Sequence, residues 1–389
     1  MTLQKTKNIE ILNKLFNQNR YQEVIEKADK LKKEDIDDVD TLNLIAHSYA
    51  RIGKIENSID LFHKVLEINS ENYTALVGLG DTLQEIGKQT EAISFYEKLV
   101  KKYPDDDIAN YSLAQGYRKI ENLKKAAFHY GVSNRRLSTA FQLECIYLDK
   151  NSDKKEFDKI LDMSRKEQPN PLVASISKHA AIKNSTYDNY NFCSEPFRFI
   201  KKENLIENNL MDDDLINDLM RDINDANTSQ KAQALIINGL QTSGNLFMLN
   251  FSSVKKIKEI IEKKIKLYRE EFSDSEEGVI KYWPKDFGIY GWIITLKQGG
   301  ELKPHIHKIG WVSSSIYLKR PKRKSLNDGD LKFSFDGAEY PSNGVSFPEK
   351  IQEINKGDII MFPSSIFHST IPFSSDEERI TLAFDVIPD

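Results

Sequence analysis

The chain has 389 residues, a formal net charge of −4 and an apolar content of 39%. This length allows two domains with separate cores, and the composition argues against global disorder. The weakly acidic balance gives no overall electrostatic attraction for a nucleic acid, and no apolar run reaches the roughly 18 residues of a membrane span. We therefore expect neither a nucleic-acid partner nor a membrane partner, and a cytoplasmic location. Cys145 and Cys193 are expected to be buried structural residues, because two cysteines cannot form a disulfide framework.

Residues from about 5 to 135 repeat with a period of 34 residues. At this offset, segment 46–53 aligns with segment 80–87. The same offset relates small residues (Ser58, Ala92 and Ala126) and aromatic residues (Phe62, Tyr96 and Tyr130) of successive repeats. The pattern predicts four helical hairpins, with turns near Asn19, Gly53, Gly87 and Asn122. It resembles the tetratricopeptide repeat, which implies an all-α repeat array.

Such an array allows two interpretations. It forms a concave groove that binds a protein or peptide substrate, or it serves as a scaffold or as the surface of a homodimer. Residues 141–181 stay helical but leave the 34-residue register, and polar residues with Pro196 follow as a connector. We therefore predict a repeat domain with closing helices over residues 1–185 and a second domain over residues 186–389.

The second half of the chain changes its hydrophobic period. We expect helices over 212–224 and 253–272, the first opened by acidic residues. Alternating or apolar runs predict strands at 197–200, 288–296, 312–318, 331–335, 358–362 and 380–387. Strands separated by glycine, proline and aspartate turns favour an antiparallel jelly roll, a double-stranded β-helix, with covering helices. This is an α+β domain.

Of the seven histidines, three lie beyond residue 190: His305, His307 and His368. Residues two apart in an extended segment point to the same face, so His305 and His307 can bind one ion. His368 follows the apolar segment 358–362, and a jelly roll can bring two such strand ends together. Imidazole binds Fe, Zn, Cu and Ni, so the ligand type alone does not select the metal.

Three regions, 239–246, 291–331 and 357–384, together resemble the 2-oxoglutarate/Fe(II) oxygenase superfamily, in particular its bacterial and phage members with an H-x-H element. The residues that carry the resemblance are segment 239–246, Gly291-Trp292-Ile293, His305-x-His307, Ser313-Ser314-Ser315-Ile316-Tyr317-Leu318, Gly357-Asp358-Ile359-Ile360, His368 and Arg379-Ile380-Thr381. The resemblance implies Fe(II) and 2-oxoglutarate as cofactors. It also implies a dioxygenase reaction in which 2-oxoglutarate is converted to succinate and CO2 while a C–H bond of the substrate is hydroxylated.

The same resemblance assigns roles to individual residues. His305, His307 and His368 would bind the iron. Arg379 would bind the far carboxylate of 2-oxoglutarate, because a guanidinium matches a carboxylate bidentately, and Thr381 would add a hydroxyl donor. The aromatic residues Trp292, Tyr317 and Phe362 would form the walls of the cofactor pocket.

The sequence departs from the common pattern at His307, which stands where most members have a carboxylate ligand. Either three neutral histidines bind the metal, or His307 lies behind the ligands and water or Asp330 completes the coordination. A cupin-type enzyme also fits a jelly roll with three histidines, although it would not need Arg379 and Thr381.

Two further alternatives concern the substrate and the activity. The enzyme hydroxylates a protein or peptide that the repeats recruit, or it acts on a small molecule and the repeats serve assembly. A protein of another class, a non-catalytic metal-binding interaction protein, would form no succinate. The basic segment 319–324 is expected to be solvated surface, or to attract an acidic substrate.

Overall fold

The structure is a computed structural model that describes residues 3–31, 38–226, 228–337 and 339–389. The chain divides into two compact units, Met1–Asp149 and Lys150–Asp389. Residues 150–185 thus belong to the second compact unit, whereas the sequence assigns them to the repeat domain. The functional division after residue 185 stays a prediction. No described helix is both long and apolar enough to cross a membrane.

The first unit is a series of antiparallel helices. These are α1 (Leu3–Asn17), α2 (Tyr21–Ala28), α3 (Val39–Arg51), α4 (Ile55–Ile68), α5 (Tyr73–Glu85), α6 (Gln89–Lys102), α7 (Asp107–Lys119), α8 (Leu123–Val132) and α9 (Ser138–Leu148). The four predicted hairpins are α1–α2, α3–α4, α5–α6 and α7–α8. Gly53 and Gly87 adopt left-handed φ angles of 78° and 82°, which glycine accepts at no steric cost. In the fourth hairpin Glu121 takes the left-handed position, and Asn122 caps α8.

The repeated small and aromatic residues form the core of this unit, as expected. Phe62, Tyr96 and Tyr130 are buried, and Ala92 is fully enclosed. At Gly80 a β-carbon would lie 2.5 Å from the Tyr96 ring. Two helices therefore approach each other where the repeat places its smallest residue.

The second unit contains α10 (Lys154–Ser164), α11 (Pro171–Lys183), α12 (Asp213–Asp225), α13 (Ser252–Glu271) and α14 (Gly278–Lys281). Helices α12 and α13 are the two predicted from the sequence. Asp212 caps α12 by accepting a hydrogen bond from the Leu215 amide at 2.8 Å. Asn170 caps α11 in the same way, and Pro171 opens this helix at a position where no amide hydrogen is needed.

Ten strands of the described residues form one curled antiparallel sheet. They are β1 (Lys201–Asn204), β2 (Gln230–Lys231), β3 (Ile236–Thr242), β4 (Phe287–His305), β5 (Val312–Lys319), β6 (Leu331–Ser334), β7 (Glu349–Gln352), β8 (Asp358–Pro363), β9 (Phe367–Thr370) and β10 (Arg379–Pro388). Their order is β1-β8-β5-β10-β4-β9-β6-β7, with β3 also on β4 and β2 on β3. Strand β4 pairs with β10 over residues 287–296 and with β9 at Leu302 and His305. This long strand joins the two halves of the sheet, and the predicted jelly-roll core is confirmed.

The prediction of a strand at 197–200 is wrong. Pro196–Phe199 is a short 3-10 helix, and the strand begins only at Lys201. Pro196 fixes its own φ and donates no hydrogen bond, which favours a helical turn at this point. Strand β1 then pairs with β8, and Lys264 of α13 forms an ion pair with Glu203 of β1.

Candidate metal and cofactor site

Three histidines of the second unit converge at the junction of β4 and β9. His305 ends β4 and lies directly opposite His368 of β9 in the strand register. His307 follows two residues later, before β5 begins. One nitrogen from each ring lies within 4.8 Å of the other two, and the Nε2 atoms of His305 and His307 are 3.2 Å apart. Three imidazoles at these distances are suited to binding one metal ion.

The other ring nitrogen of each histidine has a hydrogen-bond acceptor beside it. Nδ1 of His305 donates to the Lys303 carbonyl at 2.8 Å, and Nδ1 of His368 faces the Ile366 carbonyl at 3.4 Å. Nδ1 of His307 donates to Oδ1 of Asp385 at 2.5 Å. Because carbonyl and carboxylate oxygens only accept, these partners place a hydrogen on Nδ1, and in a neutral ring Nε2 then keeps its lone pair. This tautomer is the one that metal-binding histidines adopt.

Burial keeps the ligands in the form that a metal needs. Loss of solvent, reinforced by the neighbouring His307, lowers the pKa of His305 to about 3. Burial also lowers the pKa of His368 well below its ordinary value. Both rings are therefore neutral near pH 7, and neutral imidazole is the ligand form. The donor set fits a divalent ion such as Fe(II), which accepts imidazole ligands.

Asp330, the alternative to His307 as the third ligand, is not part of the histidine group. Both of its carboxylate oxygens bind Arg323, at 2.7 and 2.9 Å, and the Ile354 amide donates to it at 3.2 Å. Arg323 also pairs with Glu353, and Lys322 pairs with Glu377. Carboxylates of this unit therefore neutralise much of the charge of segment 319–324, which weakens its proposed role in attracting an acidic substrate.

The histidines open into a cavity of about 240 Å³. Its lining comprises Gln233, Leu235, Gln241, Trp292, Ile294, Leu302, His305, His307, Ile309, Ser314, Ser315, Leu331, Phe362, His368, Thr370, Arg379, Thr381, Ala383 and Asp385. Trp292 and Phe362 line the cavity, and their contact with a cofactor stays a prediction. Tyr317 does not line the cavity. It is fully buried, with its ring centroid 4.9 Å from the Arg379 guanidinium carbon.

Arg379 is a buried cation in this cavity, with only 3% of its surface exposed. Its Nη1 donates to Thr381 Oγ1 at 2.9 Å and its Nε donates to the Gly329 carbonyl at 3.0 Å. No carboxylate of the described residues forms a salt bridge with it, and burial lowers the pKa of this guanidinium. A buried charge without a counterion is costly. The position is therefore suited to an anionic ligand, and a carboxylate matches it best.

Two buried polar atoms in the cavity wall have no hydrogen-bond partner within the part of the chain that the structure describes. They are the indole Nε1 of Trp292 and the hydroxyl of Ser314. Buried polar atoms are almost always satisfied in proteins. Both side chains are therefore available to a bound molecule.

Sequence reasoning missed Asp385, which contacts His307. Thr381, Ala383 and Asp385 alternate along β10 and all line the cavity. The sequence does contain one indication of Asp385: it is an acidic residue in an otherwise apolar strand, and it lies on the same strand face as Arg379 and Thr381. A single carboxylate has no spacing pattern of its own, so this signal is weak.

Comparison with known proteins supports both resemblances. Residues 291–385 match the family described as "Putative 2OG-Fe(II) oxygenase", and this range contains the three histidines, Arg379 and Asp385. Residues 39–72 and 74–106 match tetratricopeptide repeat families. No curated protein matches the sequence.

Solved structures that resemble part of the chain include the following two. MamA from Desulfovibrio magneticus RS-1 is 18% identical, with 43% of this chain and 98% of that chain covered and a TM-score of 0.38. A Pseudomonas putida prolyl-4-hydroxylase is 14% identical, with 54% and 99% covered and a TM-score of 0.34. At these scores the assignment depends on the family matches. The chain carries tetratricopeptide repeats followed by a domain of the 2-oxoglutarate/Fe(II) oxygenase family.

Proposed function

We propose that this protein is an Fe(II)- and 2-oxoglutarate-dependent hydroxylase whose substrate is a protein or peptide recruited by the repeats. The observation that supports the proposal most directly is the buried, unpaired Arg379 in the same cavity as three converging histidines. A structural metal site would need the histidines but not this cation. A cupin-type enzyme would not need it either.

Different residues of the cavity would hold the two cofactors. His305, His307 and His368 would hold Fe(II), and Arg379 would hold the far carboxylate of 2-oxoglutarate. Thr381 fixes the orientation of Arg379 through its hydroxyl. Iron and 2-oxoglutarate, when bound, would supply the O2-dependent hydroxylation of a C–H bond, with succinate and CO2 as products.

The remaining cavity wall is suited to an uncharged substrate group. Apart from Arg379, Asp385 and the histidines, no charged side chain lines the cavity among the described residues. Trp292, Ile294 and Phe362 provide an apolar surface that excludes water from the reaction. Gln233 and Gln241 add carboxamides that can pair with amide groups. We therefore expect a neutral aliphatic or amide-bearing group to enter.

The size of the cavity favours a macromolecular substrate. Its 240 Å³ lie below the roughly 300–1,000 Å³ of ordinary small-molecule pockets, and 2-oxoglutarate would take part of this space. A single side chain of a larger substrate needs little more room. Helical repeat arrays bind extended peptides in their grooves, which gives the first unit a role in recruitment.

The cofactor assignment is tested by anaerobic titration of Fe(II) and 2-oxoglutarate into the full-length protein. We expect the weak visible charge-transfer band of iron-chelated 2-oxoglutarate in the wild type and its loss in Arg379→Ala and His368→Ala. Arg198→Ala is the matched control, because Arg198 has 75% of its side chain exposed. If the wild type binds metal but gives no band, the oxygenase assignment is wrong and a cupin-like or structural metal site replaces it.

The substrate assignment needs a separate experiment. Proteins that co-purify with the wild type should contain a residue heavier by one oxygen atom, and the same proteins captured by Arg379→Ala should not. Mass spectrometry of both samples makes the comparison. Turnover of small metabolites alone, with no modified partner, would support the small-molecule alternative.

A further inference from the structure

The usual carboxylate ligand is missing from the histidine group, and His307 stands in its place. We propose that Asp385 supplies this negative charge from behind His307. In this role Asp385 is a positioning residue: it fixes the tautomer of the His307 ring and makes its Nε2 a stronger metal ligand. The inference depends on the proposed function, because it assumes that the histidines bind a metal.

A hydrogen bond joins the two residues. Oδ1 of Asp385 lies 2.5 Å from Nδ1 of His307, on the side of the ring away from Nε2. The other two histidines have neutral carbonyl oxygens in the corresponding position. His307 alone has an anion behind it. A carboxylate at this distance polarises the ring and raises the basicity of the metal-binding nitrogen.

The surroundings hold Asp385 in this orientation. Ser313, its register partner on β5, donates to the same Oδ1 at 2.7 Å, and the hydroxyls of Ser313 and Ser364 are 2.7 Å apart. A β-carbon at Gly310 would lie 3.2 Å from the carboxylate carbon of Asp385 and 2.9 Å from the Ser364 hydroxyl. The turn that carries His307 therefore approaches the carboxylate closely, and it needs glycine to do so.

Asp385 has no lysine or arginine partner among the described residues. It is 6% exposed. A buried carboxylate is costly unless a positive group compensates it. His307 together with a bound divalent ion would provide that compensation. The Asp385 and His307 pair thus gives the site the net charge of two histidines and one carboxylate.

The test is anaerobic titration of the full-length protein with Co(II), followed by its visible absorption bands. We expect Asp385→Asn to weaken Co(II) binding by about 10–100-fold, the range measured for outer-shell partners of metal ligands. Asp358→Asn is the matched control. Asp358 is a buried carboxylate of the same sheet that pairs with Lys202, and its loss should leave the Co(II) affinity unchanged. Circular dichroism confirms that both variants are folded.

A charge-relocation variant separates this role from a structural one. His307→Asp combined with Asp385→Asn moves the carboxylate to the ligand position, and it should recover most of the affinity lost in Asp385→Asn and alter the Co(II) spectrum. Wild-type affinity in Asp385→Asn would overturn the inference, as would equal weakening by Asp358→Asn or no recovery in the double variant. A wild type that binds no Co(II) would instead contradict the proposed function.

Discussion

Arg379 is buried and forms no salt bridge with a carboxylate of the described residues, so its side chain should contribute strongly to cofactor binding. We expect Arg379→Lys to weaken 2-oxoglutarate binding by about 10–100-fold, since hydrogen bonds to charged groups contribute roughly 1.5–3 kcal/mol each. Lysine keeps the charge but lacks the planar fork, and it cannot hold Gly329 and Thr381 together with a carboxylate. The charge-transfer band, titrated at saturating Fe(II), measures this affinity.

The control for this experiment is Arg198→Lys, an exposed position in the same unit. Metal binding should stay intact in both variants, because neither residue belongs to the histidine group. If Arg379→Lys binds 2-oxoglutarate as tightly as the wild type, a point charge suffices and bidentate recognition is not used.

The site residues differ in how well the sequence revealed them. His305 and His307 were predicted because their spacing of two is a strand period, and His368 because histidine is rare in this half of the chain. Whether they bind metal stays a prediction, although the structure brings their rings together. Asp385 was missed because its partner lies 78 residues away in sequence. The tertiary fold brings the loop residue His307 to strand β10, and no local sequence pattern contains such a contact.

The strands also differ in how well the sequence predicted them. Long apolar or alternating runs predicted β4, β5, β8 and β10, although β4 extends to His305, nine residues beyond the predicted end. Strand β9 was not predicted, because four residues cannot display a period and its existence depends on pairing with β4 and β6. The repeats were more fully predictable, since a period of 34 residues is repeated along the sequence.

Gly80 of α5 shows why the repeat needs a small residue. Alanine is favoured over glycine inside a helix by about 1 kcal/mol. At Gly80, however, the added carbon would lie 2.5 Å from the Tyr96 ring, and Tyr96 is fully buried. Overpacking costs about 1–3 kcal/mol, so we expect Gly80→Ala to destabilise the repeat unit despite its better helix propensity.

Urea unfolding monitored by circular dichroism tests the Gly80 prediction. The control is Ser94→Ala on the exposed surface of α6, which should change the free energy of unfolding by about 0.5 kcal/mol or less. A stabilising effect of Gly80→Ala would show that α5 and α6 can separate without cost.

Helix α11 provides a test of where the second domain begins. Ile176 and His179 of this helix are fully buried, and the His179 ring stacks on Phe347 with centroids 4.3 Å apart. Burying one large apolar side chain contributes about 1.5–3 kcal/mol. A fragment of residues 150–389 should therefore be more stable than one of residues 186–389 by roughly 5 kcal/mol.

Chemical denaturation of both fragments, followed by tryptophan fluorescence, makes this comparison. All three tryptophans lie beyond residue 186, so both fragments contain the same reporters. Equal stability of the two fragments would favour the sequence-based boundary after residue 185.

At the scale of the whole molecule, every residue assigned to cofactor binding lies in the second compact unit. A ligand stabilises what it binds: at a concentration of 100 times its Kd, the gain is about 2.7 kcal/mol. In the presence of Mn(II) and 2-oxoglutarate, amide exchange of the slowest protons in β4, β9 and β10 should therefore slow by about 100-fold. Exchange in α3–α8 should stay unchanged, because the cofactors contact none of these helices.

Hydrogen–deuterium exchange with mass spectrometry resolves the two regions, and His305→Ala should abolish the protection. Equal slowing in α3–α8 would show that the two units open together, so that cofactor loading would also stabilise the repeats that we propose recruit the substrate.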